Sequence, residues 1–108
     1  MKKLSVIGLI VLIGCSTSKL TSPNQSDVDR VAEKYPDYSL ADLNQGKTLF
    51  QQNCGKCHGL KDPKEYNEDQ WNKIVPPMVK KVNKNGLVLD EKAQKQILRY
   101  VVTMSSKP

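Results

Sequence analysis

Three side chains in this sequence combine type and spacing in a way that dictates a chemistry. They stand together in Cys54-Gly55-Lys56-Cys57-His58, a C-x-x-C-H motif. Two thiols at this spacing can each bond one vinyl group of a single porphyrin. The imidazole directly after the second thiol is placed to ligate the iron. The pattern is the attachment signature of a c-type haem. A zinc site needs about four ligands, and the chain holds only three cysteines and one histidine. A thioredoxin-like redox pair needs a βαβ context, and no segment here reads as a strand. One covalently attached haem c is therefore the expected cofactor. Cys54 and Cys57 are its expected attachment points, and His58 is the expected metal ligand.

A second axial ligand is harder to assign. His58 is the only histidine, so a bis-histidine iron within one chain is excluded. The remaining donors are Met78, Met104 and a lysine amine, and an open iron is the last alternative. Met104 falls on the apolar face of the last expected helix, where a core role is the usual reading. Met78 follows Pro76-Pro77 in a stretch that reads as a turn able to swing a thioether toward iron, so it ranks first. The choice decides function. Two strong axial ligands leave no coordination site for a substrate, and His/Met ligation raises the potential relative to bis-histidine haem. An open iron can instead bind NO, CO or peroxide, as a gas sensor or a small peroxidase would. No catalytic carboxylate pair, nucleophile–base pair or phosphate loop is visible, so the sequence does not point to an enzyme.

The elements that must position these residues fit in one domain of the 108-residue chain. A protein core of this size is marginal by itself, and a haem would serve as a large apolar core element. The formal net charge is +6. Loss of Lys2 and Lys3 with an export signal lowers it by two, and ionised haem propionates lower it by about two more. The remaining mild basicity favours docking to an acidic redox partner. Nucleic acid is not expected as a partner of an exported protein.

Export is read from the first residues. Met1-Lys2-Lys3 is a positive n-region, and Leu4 to Ile13 is an apolar run too short to span a bilayer. It ends in Leu12-Ile13-Gly14-Cys15, which resembles the bacterial lipobox. Residues 1–14 are thus expected to be a lipoprotein signal peptide, with Cys15 lipidated. Residues 15–25, rich in Ser and Thr, would be a flexible tether. The expected location is the cell envelope, anchored through lipid. Ser16 in place of Asp favours the periplasmic face of the outer membrane over the inner membrane.

Residues 26–108 carry the helical patterns. Ser26 with Asp29 resembles a capping box, and Val28, Val31, Ala32 and Tyr35 follow on one face until Pro36. Ser39 with Asp42 opens a second helix carrying Leu43, Gly46 and Phe50, which delivers Cys54 at its end. Gly46 on its apolar face implies that another helix approaches closely there. After His58 an irregular loop follows. Its Pro63 or a neighbour would offer a carbonyl to the second N–H of His58, and Tyr66 would cover a haem edge or reach a propionate. Asn67 with Gln70 opens a third helix bearing Trp71, Ile74 and Val75, which Pro76-Pro77 is expected to interrupt. Pro77 would then open a short helix with Val79 and Val82, ended by Asn85-Gly86. Asp90 caps the last helix. There Ala93, Ile97, Tyr100, Val101 and Met104 form the clearest amphipathic face, and the Leu43–Phe50 face is its natural partner.

Taken together, these residues resemble a small bacterial class I c-type cytochrome. The resemblance rests on Gly46, Phe50, the Cys54–His58 motif, Pro63, Met78, and Ile97 with Tyr100. It covers about residues 39–104 and is most specific in the haem motif. It implies an all-α fold, a bundle of short helices around one covalently attached haem, with the N- and C-terminal helices crossing. It also implies that Met78 is the second axial ligand. The function it implies is transfer of single electrons between membrane-associated redox partners. A permanent subunit of a larger oxidoreductase is a further form of the same role. Lys56, Lys61, Lys73, Lys80, Lys81 and Lys84 would then ring an exposed haem edge and steer an acidic partner.

Overall fold

The computed structural model of the chain describes residues 20–54 and 60–108. The expected signal peptide, Cys15, Cys57 and His58 lie outside the described residues. The fold class is all-α, with no strand among the described residues. Four α-helices follow one another: α1 (Gln25–Arg30), α2 (Leu40–Cys54), α3 (Glu68–Val82) and α4 (Glu91–Ser105). Short 3₁₀ turns at Pro63–Glu65 and Asn83–Asn85 flank α3. No helix among the described residues is long and apolar enough to cross a membrane.

The core is built where α2 meets α4. Ser39 and Asp42 start α2 as expected. The Asp42 backbone N–H donates to Ser39 Oγ at 3.0 Å, and the Ser39 N–H donates back to Asp42 Oδ2 at 3.1 Å. Leu43, Gly46 and Phe50 are all buried on the resulting face. At Gly46 the helices touch backbone to backbone. A Cβ there would press on the Gln96 carbonyl oxygen and sit 2.7 Å from Tyr100 Cβ. Only glycine permits this approach. Asp90 caps α4 by accepting the Ala93 N–H at 2.8 Å. Ile97, Tyr100 and Val101 then fill the core opposite Leu43 and Phe50.

The third helix departs from expectation. Asn67 and Gln70 do form the predicted box, each side chain accepting the other's backbone N–H at 2.9 Å. Pro76 and Pro77, however, lie inside one continuous helix that runs on to Val82. The two prolines remove N–H donors and leave the Asn72 and Lys73 carbonyls without helical partners. All four residues are exposed, so water can hydrate those carbonyls. On the opposite face Trp71, Ile74, Val75, Met78, Val79 and Val82 form one unbroken stripe at helical spacing. Burial of that stripe holds the helix together across the prolines. Met78 therefore sits on a helix and not in a turn. Beyond α3, Asn83 organises the connection to α4. Its side chain accepts the Val88 and Leu89 N–H groups at 2.9 and 2.8 Å and donates to the Leu89 carbonyl at 2.7 Å. Gly86 turns the chain at φ 141° and ψ 154°, a region open essentially to glycine alone.

The first helix begins slightly earlier than its sequence pattern suggests. Asn24, not Ser26, is the cap, and its reciprocal partner is Asp27. Ser26 instead donates its hydroxyl to Asn24 Oδ1. Regular α-helix ends at Arg30, and Val31 to Pro36 continue as irregular turns. Asp27 is completely enclosed yet charged. It accepts from Arg30 Nη1 at 2.8 Å and from Lys107 Nζ at 3.1 Å. Arg30 also donates through Nη2 to the Thr103 carbonyl at 2.6 Å. These bonds clamp the first helix to the end of the last one, where Val102 and Thr103 are buried beyond the expected apolar face.

Candidate functional site

Cys54 is the last residue of α2 and is buried. Burial pushes its thiol up to about 11, so at neutral pH it is a protonated, weakly nucleophilic group. One turn earlier, Phe50 projects from the same helix face. Both residues line an apolar cavity of about 180 Å³. Helix α3 supplies the opposite wall with Trp71, Ile74 and Met78, at i, i+3 and i+7 on its apolar stripe. Lys61 and Tyr66, from the segment between the helices, complete the lining.

The aromatic walls are fixed by one another. Trp71 meets Phe50 edge-on at 6.0 Å between ring centroids and Tyr66 edge-on at 5.1 Å. Such pairs contribute about 0.5–1.5 kcal/mol beyond their buried area. The indole N–H of Trp71, itself buried, donates to the Pro63 carbonyl at 2.8 Å. The Tyr66 N–H reaches the same oxygen at 3.4 Å. The Pro63 carbonyl, expected with its neighbours to be available to His58, accepts from Trp71; His58 itself lies outside the described residues. Tyr66 is half-buried over Trp71, and its own carbonyl accepts from Ser105 Oγ at 2.6 Å.

Comparison of the chain with protein-family models, with curated proteins and with solved structures finds no match. The site must therefore be read from its own residues.

Of the residues singled out in the sequence, Cys54 and Met78 are brought to one cavity. Met104 is not. It is buried beside Tyr100 and lines a separate small cleft with Pro63 and Lys107. Its core reading holds, and it does not line the cavity that Cys54 lines. Lys73, Lys80 and Lys81 are exposed on α3, while Lys61 is the lysine that borders the cavity. Among the described residues, no group of three His, Cys, Asp or Glu side chains gathers where a metal ion could be held.

A haem is flat and apolar, with a polar edge, and the cavity has matching chemistry. Its walls are aromatic and aliphatic, it carries one thiol and one thioether, and one cation stands at its margin. At about 180 Å³ it is below the roughly 300 Å³ of the smallest ordinary ligand pockets. Among the described residues, the lining matches a haem in polarity but not in volume. Cys54 and Lys61, which stand on either side of residues 55–59 in the sequence, both line the cavity. The residues present fit the group in their chemistry.

Sequence reasoning did not find the Trp71–Pro63 bond, which joins groups eight positions apart through an irregular loop. The continuity of α3 did have a signal. The apolar stripe from Trp71 to Val82 keeps one helical phase straight through Pro76-Pro77.

Proposed function

We propose that this chain is a monohaem c-type cytochrome that carries single electrons between membrane-associated redox partners. One observation carries the reading. The C-x-x-C-H motif starts from a buried cysteine in the wall of an apolar cavity, and Met78 lies in the same cavity. Each thiol S–H of Cys54 and Cys57 would add across one vinyl C=C and hold the cofactor. His58 and Met78 would hold its iron through an imidazole and a thioether. When bound, haem supplies one-electron Fe(II)/Fe(III) chemistry. Phe50, Trp71 and Ile74 keep water from the site, and apolar surroundings of this kind raise the potential. An iron held by two side chains would leave no place for a substrate, and such a group would carry electrons. The exposed lysines of α3 and Lys61 would steer an acidic partner. Lipidation at Cys15 would confine the domain to the cell envelope, with several acyl chains anchoring it far better than one.

The test is the optical spectrum of the oxidised holoprotein, wild type beside Met78→Ala, followed by CO addition to each reduced form. A weak long-wavelength sulfur-to-iron band is expected in the wild type and not in the variant, with CO binding only to the variant. Ready CO binding by a wild type that lacks the band would sink the carrier and put a five-coordinate sensor or peroxidase in its place.

A further inference from the structure

We propose that Trp71 is a positioning residue that sets the presentation of Met78, acting as a strut between α3 and the turn that follows the C-x-x-C-H motif. The inference rests on the haem reading above and adds a residue that neither the motif nor the ligand set contains. Pro63 is five positions after His58, in a 3₁₀ turn held by its own capping box between Asp62 and Glu65. Pro63 is buried, and its carbonyl points at the Trp71 indole with a 2.8 Å hydrogen bond. Trp71 is 1% exposed, so water cannot replace that bond. Met78 lies seven residues further along the same helix. Seven residues are nearly two turns, which puts Trp71 and Met78 on one face about 10 Å apart along the axis. The hydrogen bond therefore pins one end of the α3 cavity face to the post-motif turn, and Met78 rides near the other end.

Two prolines lie between Trp71 and Met78 and weaken the backbone ladder there. The position of the thioether thus depends more on side-chain anchoring than it would on an ordinary helix. Without the indole N–H, the Pro63 carbonyl loses its principal partner in a dry site. Among the described residues, this is the side-chain hydrogen bond that joins α3 to the turn after the motif. A thioether is a weak ligand, and small displacements are enough to let an external ligand compete.

The experiment uses the full holoprotein with Trp71→Phe, which keeps an aromatic ring and deletes the N–H. A second variant replaces Trp71 with benzothienylalanine, which preserves the ring volume and lacks only the donor. It covers the case in which the phenylalanine variant does not fold. Asp27→Asn, in the clamp between α1 and the end of α4, is the control for general loss of stability. CO affinity of the reduced protein and the pH at which the oxidised protein loses its sulfur-to-iron band are measured on all forms. Loss of a buried hydrogen bond of this kind corresponds to roughly a tenfold change. Both Trp71 variants should bind CO about tenfold more tightly than wild type and lose the band about one pH unit earlier, with Asp27→Asn like wild type. Unchanged CO affinity and band in the Trp71 variants, or equal changes in Asp27→Asn, would overturn the assignment while leaving the cytochrome reading intact. A wild type without the band would sink both.

Discussion

The two edges of the α2–α4 core are finished in opposite ways. At the α1 edge the protein completes itself. Asp27 is enclosed, and its carboxylate accepts from Arg30, Lys107 and the Asn24 backbone. Arg30 in turn satisfies the Thr103 carbonyl. At the Cys54 edge the walls are apolar, and two sulfur atoms sit among aromatic and aliphatic groups. Paired charges can close a surface because each donor finds an acceptor. An apolar cavity has nothing to offer water, and only another apolar body can complete it. The contrast teaches where a partner for the core is to be sought. The first edge is closed by paired charges, and the second is lined by apolar groups and two sulfur atoms.

Breaking the open edge should have the largest effect. Cys54→Ala together with Cys57→Ala should abolish covalent haem, read as loss of haem stain from the denatured polypeptide. The thermal transition of the doubly substituted chain should also collapse, since so small a core is marginal without the proposed haem. A stable, cooperatively melting double variant would show that the open edge does not depend on haem.

Striking both edges at once comes next. Gly46→Val puts a branched side chain against the Gln96 carbonyl and Tyr100, which are held by backbone and core. Denaturant unfolding should show a loss of about 3 kcal/mol, at the upper end for overpacking.

Breaking the closed edge should cost less. Asp27→Asn removes the charge that Arg30 and Lys107 share. Those cations are each 26% exposed and can turn to solvent, so the loss should be about 2 kcal/mol, below the usual range for a fully buried pair. Its pH dependence follows from the direction of the Asp27 shift. Enclosure raises the pKa, but the hydrogen bonds from Arg30, Asn24 and Lys107 outweigh it and hold the carboxyl below its ordinary value. A lowered folded-state pKa gives stability that is fully present above the unfolded value of about 3.9. The gap between wild type and Asp27→Asn should therefore be flat at neutral pH and shrink as pH falls below about 4 and through the folded pKa. A gap that widens with acid would refute the clamp.

The smallest effect belongs to a residue outside both edges. Leu87 is 77% exposed, and Leu87→Ser should change stability by no more than about 0.5 kcal/mol.

Much of this contrast was legible in local residue patterns. Ser39 with Asp42 and Asn67 with Gln70 cap their helices as read, because a capping box is satisfied within four consecutive residues. Gly46 marked the close approach of a second helix, because its lack of a Cβ is useful only where something presses against it. Met104 read as core, since its phase on the last helix matches Ile97 and Tyr100. The C-x-x-C-H motif carries its chemical meaning in its spacing. The α1 cap was misplaced because Ser26 and Asn24 are both good caps, and the choice depends on where Asp27 finds its cations. One of these, Lys107, is eighty positions away.

By itself the sequence determined an all-helical chain, the starts of α2, α3 and α4 set by local caps, the apolar stripes, and a C-x-x-C-H motif. Only the tertiary structure decided that α3 runs unbroken through Pro76-Pro77. A local rule weighs the missing N–H groups but cannot weigh the burial of the stripe on the far side. Tertiary structure also decided that Met78, and not Met104, shares a cavity with Cys54, and that the Pro63 carbonyl goes to Trp71. These are pairings between segments, and their energies depend on which surfaces meet, a quantity that no window of neighbouring residues contains.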